Sequence, residues 1–311
     1  MAATALIVVG CGGSGSSTAR SASGASNPLN SYELYVDPQN HGQTHGTPKE
    51  REVIGSQPSA LWFGKDPYLE ADIAEYVQSV AAFGKLPVLV AYNIPDRDCG
   101  GSSAGGAASP AAYRAWIRRF AVGMSNNDPV VIILEPDALA QTIQACHSTD
   151  ANAHLSLLAY AVGKLKRASN AYVYIDAGNA GWIDDPSQLA NALKQAGVAE
   201  ADGFALNVAN YETTSRSIRY GTAVSKRLGG KHFVIDTSRN GAGPTPVNDG
   251  KPWCNQPGQK LGDSPTTRTN QPLVDAYLWV KQPGDSDGVC HGISQPAGVW
   301  SPKLASQLTG S

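Results

Sequence analysis

The sequence has 311 residues, of which 41% are hydrophobic and 16% charged, and its formal net charge is −2. That length suits one large α/β domain or two small ones, and the near-neutral charge offers no basic footprint for nucleic acid or an anionic membrane surface. No apolar stretch approaches the roughly 18 residues needed to span a bilayer.

In chain order, Ala5-Leu6-Ile7-Val8-Val9 is a short apolar run, and Val8-Val9-Gly10-Cys11 resembles a bacterial lipobox. Residues 1–11 therefore read as a signal or lipobox-like segment, with Cys11 as the residue to be lipidated. Residues 12–26, GGSGSSTARSASGAS, have the composition of a flexible linker. Residues 27–311 show no second linker and no internal repeat, and read as one catalytic domain.

Within that domain seven apolar runs predict buried strands: Leu34–Val36, Val88–Tyr92, Val130–Leu134, Ala171–Ile175, Gly203–Leu206, His232–Ile235 and Ala276–Val280. Helical patterns fall between many of them, over Asp72–Phe83, Ser109–Met124, Ala153–Lys166, Pro186–Gln195 and Thr213–Arg227. Ser109-Pro110 supplies an N-cap serine with proline at the first helical position. Alternating strands and helices imply a parallel sheet buried on both faces. Seven strands predict a closed or nearly closed α/β barrel, with a doubly wound open sheet as the alternative.

Of five cysteines, Cys99, Cys146, Cys254 and Cys290 lie in the folded part and Cys11 lies apart. None forms a CxxC pair, so the spacing does not suggest zinc. Pairing in sequence order would close Cys99–Cys146 and Cys254–Cys290, bonds that persist only outside a reducing cytosol.

Nearly every predicted strand is followed by a polar or acidic residue. These are Asp37; Tyr92, Arg97 and Asp98; Glu135 and Asp137; Asp176; Asn207; Asp236; and Lys281, Asp285 and Asp287. In a barrel of parallel strands the site lies at the strands' C-terminal ends. One aspartate there is usually a cap or turn residue, but a ring of them points to chemistry. Metal-dependent hydrolysis would usually add histidine ligands, yet His41, His45, His147, His154, His232 and His291 mostly miss the strand ends. Neither a metal nor another cofactor is expected. Lys281 could form a Schiff base by position, but acidic neighbours would raise its pKa, the wrong direction. Glycoside hydrolysis, which needs one protonated carboxyl and a second carboxylate or activated water, suits the surplus of acids. Trp62, Trp182 and Trp253 lie in loop-like contexts where flat rings could stack on sugars, whereas Trp116 and Trp279 read as core.

The stretches Val90-Ala91-Tyr92-Asn93-Ile94-Pro95-Asp96-Arg97-Asp98-Cys99-Gly100 and Ile133-Leu134-Glu135-Pro136-Asp137-Ala138-Leu139 resemble two signatures of glycoside hydrolase family 6. Further matches are Asp176-Ala177-Gly178, Leu206 to Tyr211, Asp236 to Gly241, Trp253-Cys254 and Trp279 to Gly288, so the resemblance runs from about Leu34 to Ala297. It implies a distorted seven-stranded β/α barrel and an inverting β-1,4-glucanase acting on cellulose or a related glucan. It implies Asp137 as general acid, Asp98 as the carboxyl that keeps Asp137 protonated, and Asp287 as base or charge stabiliser facing Arg239. Sugar contacts would come from Tyr92, Trp62, Trp253, Trp182, Asn207, Lys281 and Asp285, with Arg97, Asp176 and Arg239 in support. The same cysteine pairing follows from the family. One departure is Asn179, where the family usually has histidine before the leaving-side tryptophan. Only Gly288 and Val289 separate Asp287 from Cys290. So short a segment cannot roof the cleft, which favours endo action over a processive cellobiohydrolase of the same family. A secreted or membrane-anchored monomer is expected. A non-catalytic glucan-binding protein would tolerate loss of the acid, but Asp98 and Asp137 are both present.

Overall fold

The computed structural model describes residue 1 and residues 26–146, 150–168 and 170–310. The lipobox-like run, Cys11 and nearly all of the linker lie outside the described residues. Seven parallel strands follow one another in sequence order: β1 (Leu61–Phe63), β2 (Val88–Ala91), β3 (Val130–Leu134), β4 (Ala171–Asp176), β5 (Gly203–Leu206), β6 (His232–Asp236) and β7 (Val274–Leu278). The sheet curls into a barrel, and no strand ladder joins β1 to β7 among the described residues. Instead Ala60 N donates to Trp279 O (3.0 Å) and the Trp62 indole to Val280 O (2.8 Å) across the seam.

The strands read as unbroken apolar runs because both faces are buried. Val90, Val131, Ile133, Tyr174, Ala205, Val234 and Ala276 fill the barrel interior. Their neighbours Leu89, Ile132, Leu134, Val173, Ile175, Phe204 and Phe233 point outward, into a core shared with the helices. The alternation is the period-two geometry of a strand with apolar partners on both sides.

The helices are α1 (His41–His45), α2 (Pro48–Glu50), α3 (Leu69–Ala81), α4 (Pro110–Gly123), α5 (Ala138–Ile143), α6 (Ala151–Ala168), α7 (Pro186–Gln195), α8 (Thr214–Arg227) and α9 (Pro302–Thr309). Local chemistry starts several of them. Ser109 accepts from Ala112 N, Asp185 from Ser187 N and Thr213 from Arg216 N, and Pro110 and Pro186 open their helices. Both expected disulfides are present, Cys99–Cys146 and Cys254–Cys290.

The first and last strands differ from expectation. Leu34–Val36 is a single parallel bridge, Leu34 to Leu86, because only Leu34 is buried, while Val36 is exposed and Tyr35 stacks on Phe83. The first strand is Leu61–Phe63, so Trp62 projects from a strand rather than a loop. The last strand begins two residues earlier than expected and ends before Trp279, which packs with Ile54, Trp300 and Ala305. Asp275 masked its start, since a carboxylate inside a strand breaks the apolar pattern. The structure gives that carboxylate partners: Asp275 meets His232 Nδ1 at 2.6 Å and accepts from the Tyr174 hydroxyl at 2.7 Å, tying β4, β6 and β7 together.

Removing one member of such a buried set leaves the others uncompensated. Asp275→Ala should therefore cost about 3–5 kcal/mol in urea denaturation. A loss below about 1 kcal/mol would show that the barrel does not depend on this contact.

Candidate active site

The acids at the strand ends separate into two groups. Those of the first group are buried and hold the backbone of adjacent loops. Glu135, directly after β3, accepts from Asn93 N (2.9 Å) and Ile94 N (3.0 Å) in the loop after β2. Asp176, at the end of β4, accepts from Asp137 N (2.8 Å) in the loop after β3. Asp236, at the end of β6, accepts from Ala209 N (2.9 Å) after β5 and Lys281 N (3.0 Å) after β7. Asn207 belongs to the same set. It is fully buried and does not line the cleft, its amide donating to Asp236 O (2.9 Å) and accepting from Glu212 N (2.9 Å). Asp37 does not line the cleft either; it accepts from Gln39 N in a turn. Burial pushes the Glu135 carboxyl up to about 7, although the amides of Ile94 and Asn93 pull the other way. Burial likewise pushes Asp176 up to about 7, against donors at Asp137, Gly178 and Ala177.

The second group faces a cleft of about 990 Å³ at the C-terminal ends of the strands. Its lining includes Asp98, Asp137, Asp285, Asp287, Lys281, Arg97, Tyr92, Trp62, Trp182 and Trp253. Most of the residues singled out in the sequence thus converge on one opening.

Asp137 caps α5 in the left-handed region, φ 70°. Burial raises its carboxyl well above the usual carboxylate range, and the charges of Asp176, Asp98 and Asp287 raise it further. Asp98 is also left-handed, φ 58°, and accepts from Ser103 N (2.7 Å) and Ser103 Oγ (2.9 Å). The Cys99–Cys146 bond ties the Asp98 loop to the chain just beyond α5, the helix that Asp137 begins.

Asp287 lives in the opposite electrostatic setting. Burial opposes its ionisation, but Arg239 and Lys281 outweigh that and hold its carboxyl below the ordinary value. Arg239 grips both carboxylate oxygens at 2.8 Å, Asn255 N donates at 2.8 Å and the Tyr211 hydroxyl at 3.2 Å. The two environments push the Asp137 and Asp287 carboxyls apart, the arrangement that separates an acid from a base.

Around this pair the aromatic groups are braced. Arg97 lies over the Tyr92 ring at 4.4 Å and donates to Tyr92 O and Ser103 O, while the Trp62 ring meets Tyr92 edge-on at 5.2 Å. Asn179 accepts from Gly181 N (2.9 Å) and Trp182 N (3.1 Å), so it caps the turn that carries Trp182. Gln144 receives the Trp182 indole N–H at 2.6 Å. Trp253 is 41% exposed beside the Cys254–Cys290 bond. Sequence reasoning did not assign Ser103, Gln144, Asn255 or His41 to the site, because polar loop residues outside the matched stretches carry no period or spacing that would mark them, and it gave Tyr211, inside the Leu206 to Tyr211 match, no role of its own.

The family model of glycosyl hydrolases family 6 matches residues 21–310. The chain belongs to this family. It is 41% identical to Endoglucanase A of Thermobispora bispora, over 98% of this chain and 68% of that protein. A probable 1,4-β-D-glucan cellobiohydrolase C of Aspergillus terreus is 32% identical, over 86% of this chain and 68% of that protein. Among solved structures, the endoglucanase Cel6 from Mycobacterium tuberculosis, in complex with a methyl-cellobiosyl-thio-cellobioside, superposes with TM-score 0.85 at 40% identity. That match covers 91% of this chain and 98% of the other. This family 6 hydrolase therefore shares the distorted seven-stranded barrel of its relatives.

The buried latch has a pH signature. A carboxyl raised in the folded state gives stability that is full below its unfolded value, near 4.5, and lost as pH rises through about 7. The urea midpoint should fall between pH 5 and pH 8, and the fall should be smaller in Glu135→Gln, which keeps an acceptor but cannot ionise. Equal pH slopes in the two proteins would contradict this assignment of charge.

Proposed function

We propose that the chain hydrolyses internal β-1,4-glucosidic bonds of cellulose or a related β-glucan with inversion of configuration. The observation that carries this reading is the pair of carboxyls lining one open cleft, Asp137 held toward its protonated form and Asp287 held ionised by Arg239 and Lys281. Asp137 protonates the leaving oxygen. Asp98 lies close enough to raise the Asp137 carboxyl, and with Ser103 helps to position water. Asp287 serves as base or stabilises the charge that develops on the sugar. An inverting pair needs room for water between its carboxyls, about 6.5–9.5 Å.

Trp62 and Trp253 stack on the non-reducing side of the scissile bond and Trp182 on the leaving-group side. Tyr92 contacts the sugar at the cleavage point. Lys281 and Asp285 bind hydroxyls, and Arg97, Asp176 and Arg239 hold these groups in place. Endo action is supported by the short segment Gly288-Val289, which Asn255 pins through Gly288 O at 2.8 Å, leaving the cleft unroofed. The endoglucanase name of the relative at 41% identity, against a cellobiohydrolase name at 32%, supports the same choice.

Asp137→Ala should lower turnover of carboxymethylcellulose by about 10²–10⁴-fold while sparing substrates whose leaving group needs no proton. NMR of early product from the unaltered enzyme should show the α-anomer first. Near-wild-type hydrolysis by the variant, or β-anomer first, would overturn the scheme.

Two disulfides support an oxidising compartment, hence export. Lipidation of Cys11 would anchor the domain on the outer face of a bacterial membrane through the Gly/Ser tether. Cell fractionation should then find the protein with membranes and its Cys11→Ser variant in the medium. Unaltered protein wholly in the medium would exclude the anchor.

A further inference from the structure

His41 is a cleft residue that the scheme above leaves unused. It opens α1, a turn with no strand or signature motif around it, yet it lines the cleft next to Gln282 and Asp285. The residue is held at its ring and at its backbone. Nδ1 lies 2.8 Å and 3.0 Å from the two oxygens of Asp285, and its backbone N–H donates to the Gln282 side chain at 3.1 Å. The carboxylate can only accept, so Nδ1 carries the hydrogen. Nε2 is thereby assigned to face elsewhere, and it has no protein partner among the described residues. The His41 side chain is 37% exposed while that of Asp285 is 8% exposed, so of the two the imidazole is the part open to solvent.

We propose that Asp285 and His41 form a dyad in which His41 Nε2 binds a glucosyl hydroxyl, making His41 a specificity-determining residue of the cleft. This rests on the glucanase reading above. The hydroxyl can accept from the imidazolium or donate to the neutral ring, but the charge-assisted bond to the cation is the stronger. The groups facing the ring are Asp285 and Lys281 from the segment after β7 and His45 from α1, whose ring meets it edge-on at 5.5 Å. The hydrogen bond to Asp285 favours the imidazolium and raises the His41 pKa, against burial and the charge of Lys281. Binding should therefore be tightest at acid pH and weaken as pH rises through the titration of His41.

The test uses steady-state hydrolysis of cellohexaose by the full chain at pH 5 and pH 8. His41→Ala should raise KM about tenfold at pH 5 and less at pH 8, with kcat changed by less than about twofold. His41→Asn keeps an amide where Nδ1 meets Asp285 but has nothing at the Nε2 position, so it should behave like His41→Ala. His41→Gln places a donor near the Nε2 position and should recover most of the affinity without the pH dependence. A wild-type KM in His41→Asn would show that the histidine only positions Asp285, and an unchanged KM in His41→Ala would remove it from substrate binding. Failure of the glucanase reading is distinguishable, because the unaltered enzyme would then leave cellohexaose intact.

Discussion

The site depends on one interaction repeated around the barrel: an acid at the end of a strand accepting hydrogen bonds from the backbone of a neighbouring loop. Glu135 holds the loop after β2, Asp176 the loop after β3, and Asp236 the loops after β5 and β7. Loop amides have no ladder to satisfy them, and leaving a buried one unpaired costs about 1–3 kcal/mol. A carboxylate satisfies two or three at once. The loops that carry Asp98, Asp137 and Lys281 are therefore fixed by the ends of adjacent strands rather than by their own sequence. Left-handed backbone at Asp98, Glu135, Asp137 and Asn207 lies within this network, where surrounding contacts can sustain conformations that cost of order 1–3 kcal/mol each.

The same acids set the electrostatics of the cleft. Asp176 is both a latch for the Asp137 backbone and a charge that helps keep the Asp137 carboxyl protonated. Asp287 escapes that influence because Arg239, itself buried, neutralises it at close range. Two chemically identical groups are thus shifted in opposite directions. Position along the sequence does not decide which acid does what; the nearest buried charge does.

Most of the strands were legible because a parallel sheet buried on both faces writes itself as runs of Val, Ile and Leu. The exceptions are instructive. β1 is three residues long and contains a tryptophan whose indole reaches Val280 across the seam, so it looks like a loop. The start of β7 was hidden by Asp275, whose compensation by His232 and Tyr174 is visible only in three dimensions. Of the carboxylates that line the cleft, Asp98 and Asp137 were nameable from two long motifs, and Asp285 and Asp287 from the shorter match at Trp279 to Gly288. Their division from the buried latches was not, since Asp176 and Asp236 follow strands just as Asp98 and Asp137 do. Asn207 shows the difficulty: its motif context suggests a ligand contact, while its side chain is buried beneath the cleft-lining residues and bonded to the loop backbone. His41 shows the converse, a cleft residue with no motif at all.

The seam between β1 and β7 makes the barrel a split ring. Six strand ladders close the rest of the ring. On one lip stands Trp62, and on the other Lys281 begins the segment carrying Asp285 and Asp287. Hydrogen bonds from Ala60 N, the Trp62 indole and the Gln282 side chain, which donates to Ala60 O at 3.3 Å, clasp the two lips. The groove on that side is therefore bounded by loop and side-chain contacts, whereas the wall that holds Asp137 is backed by a continuous run of paired strands.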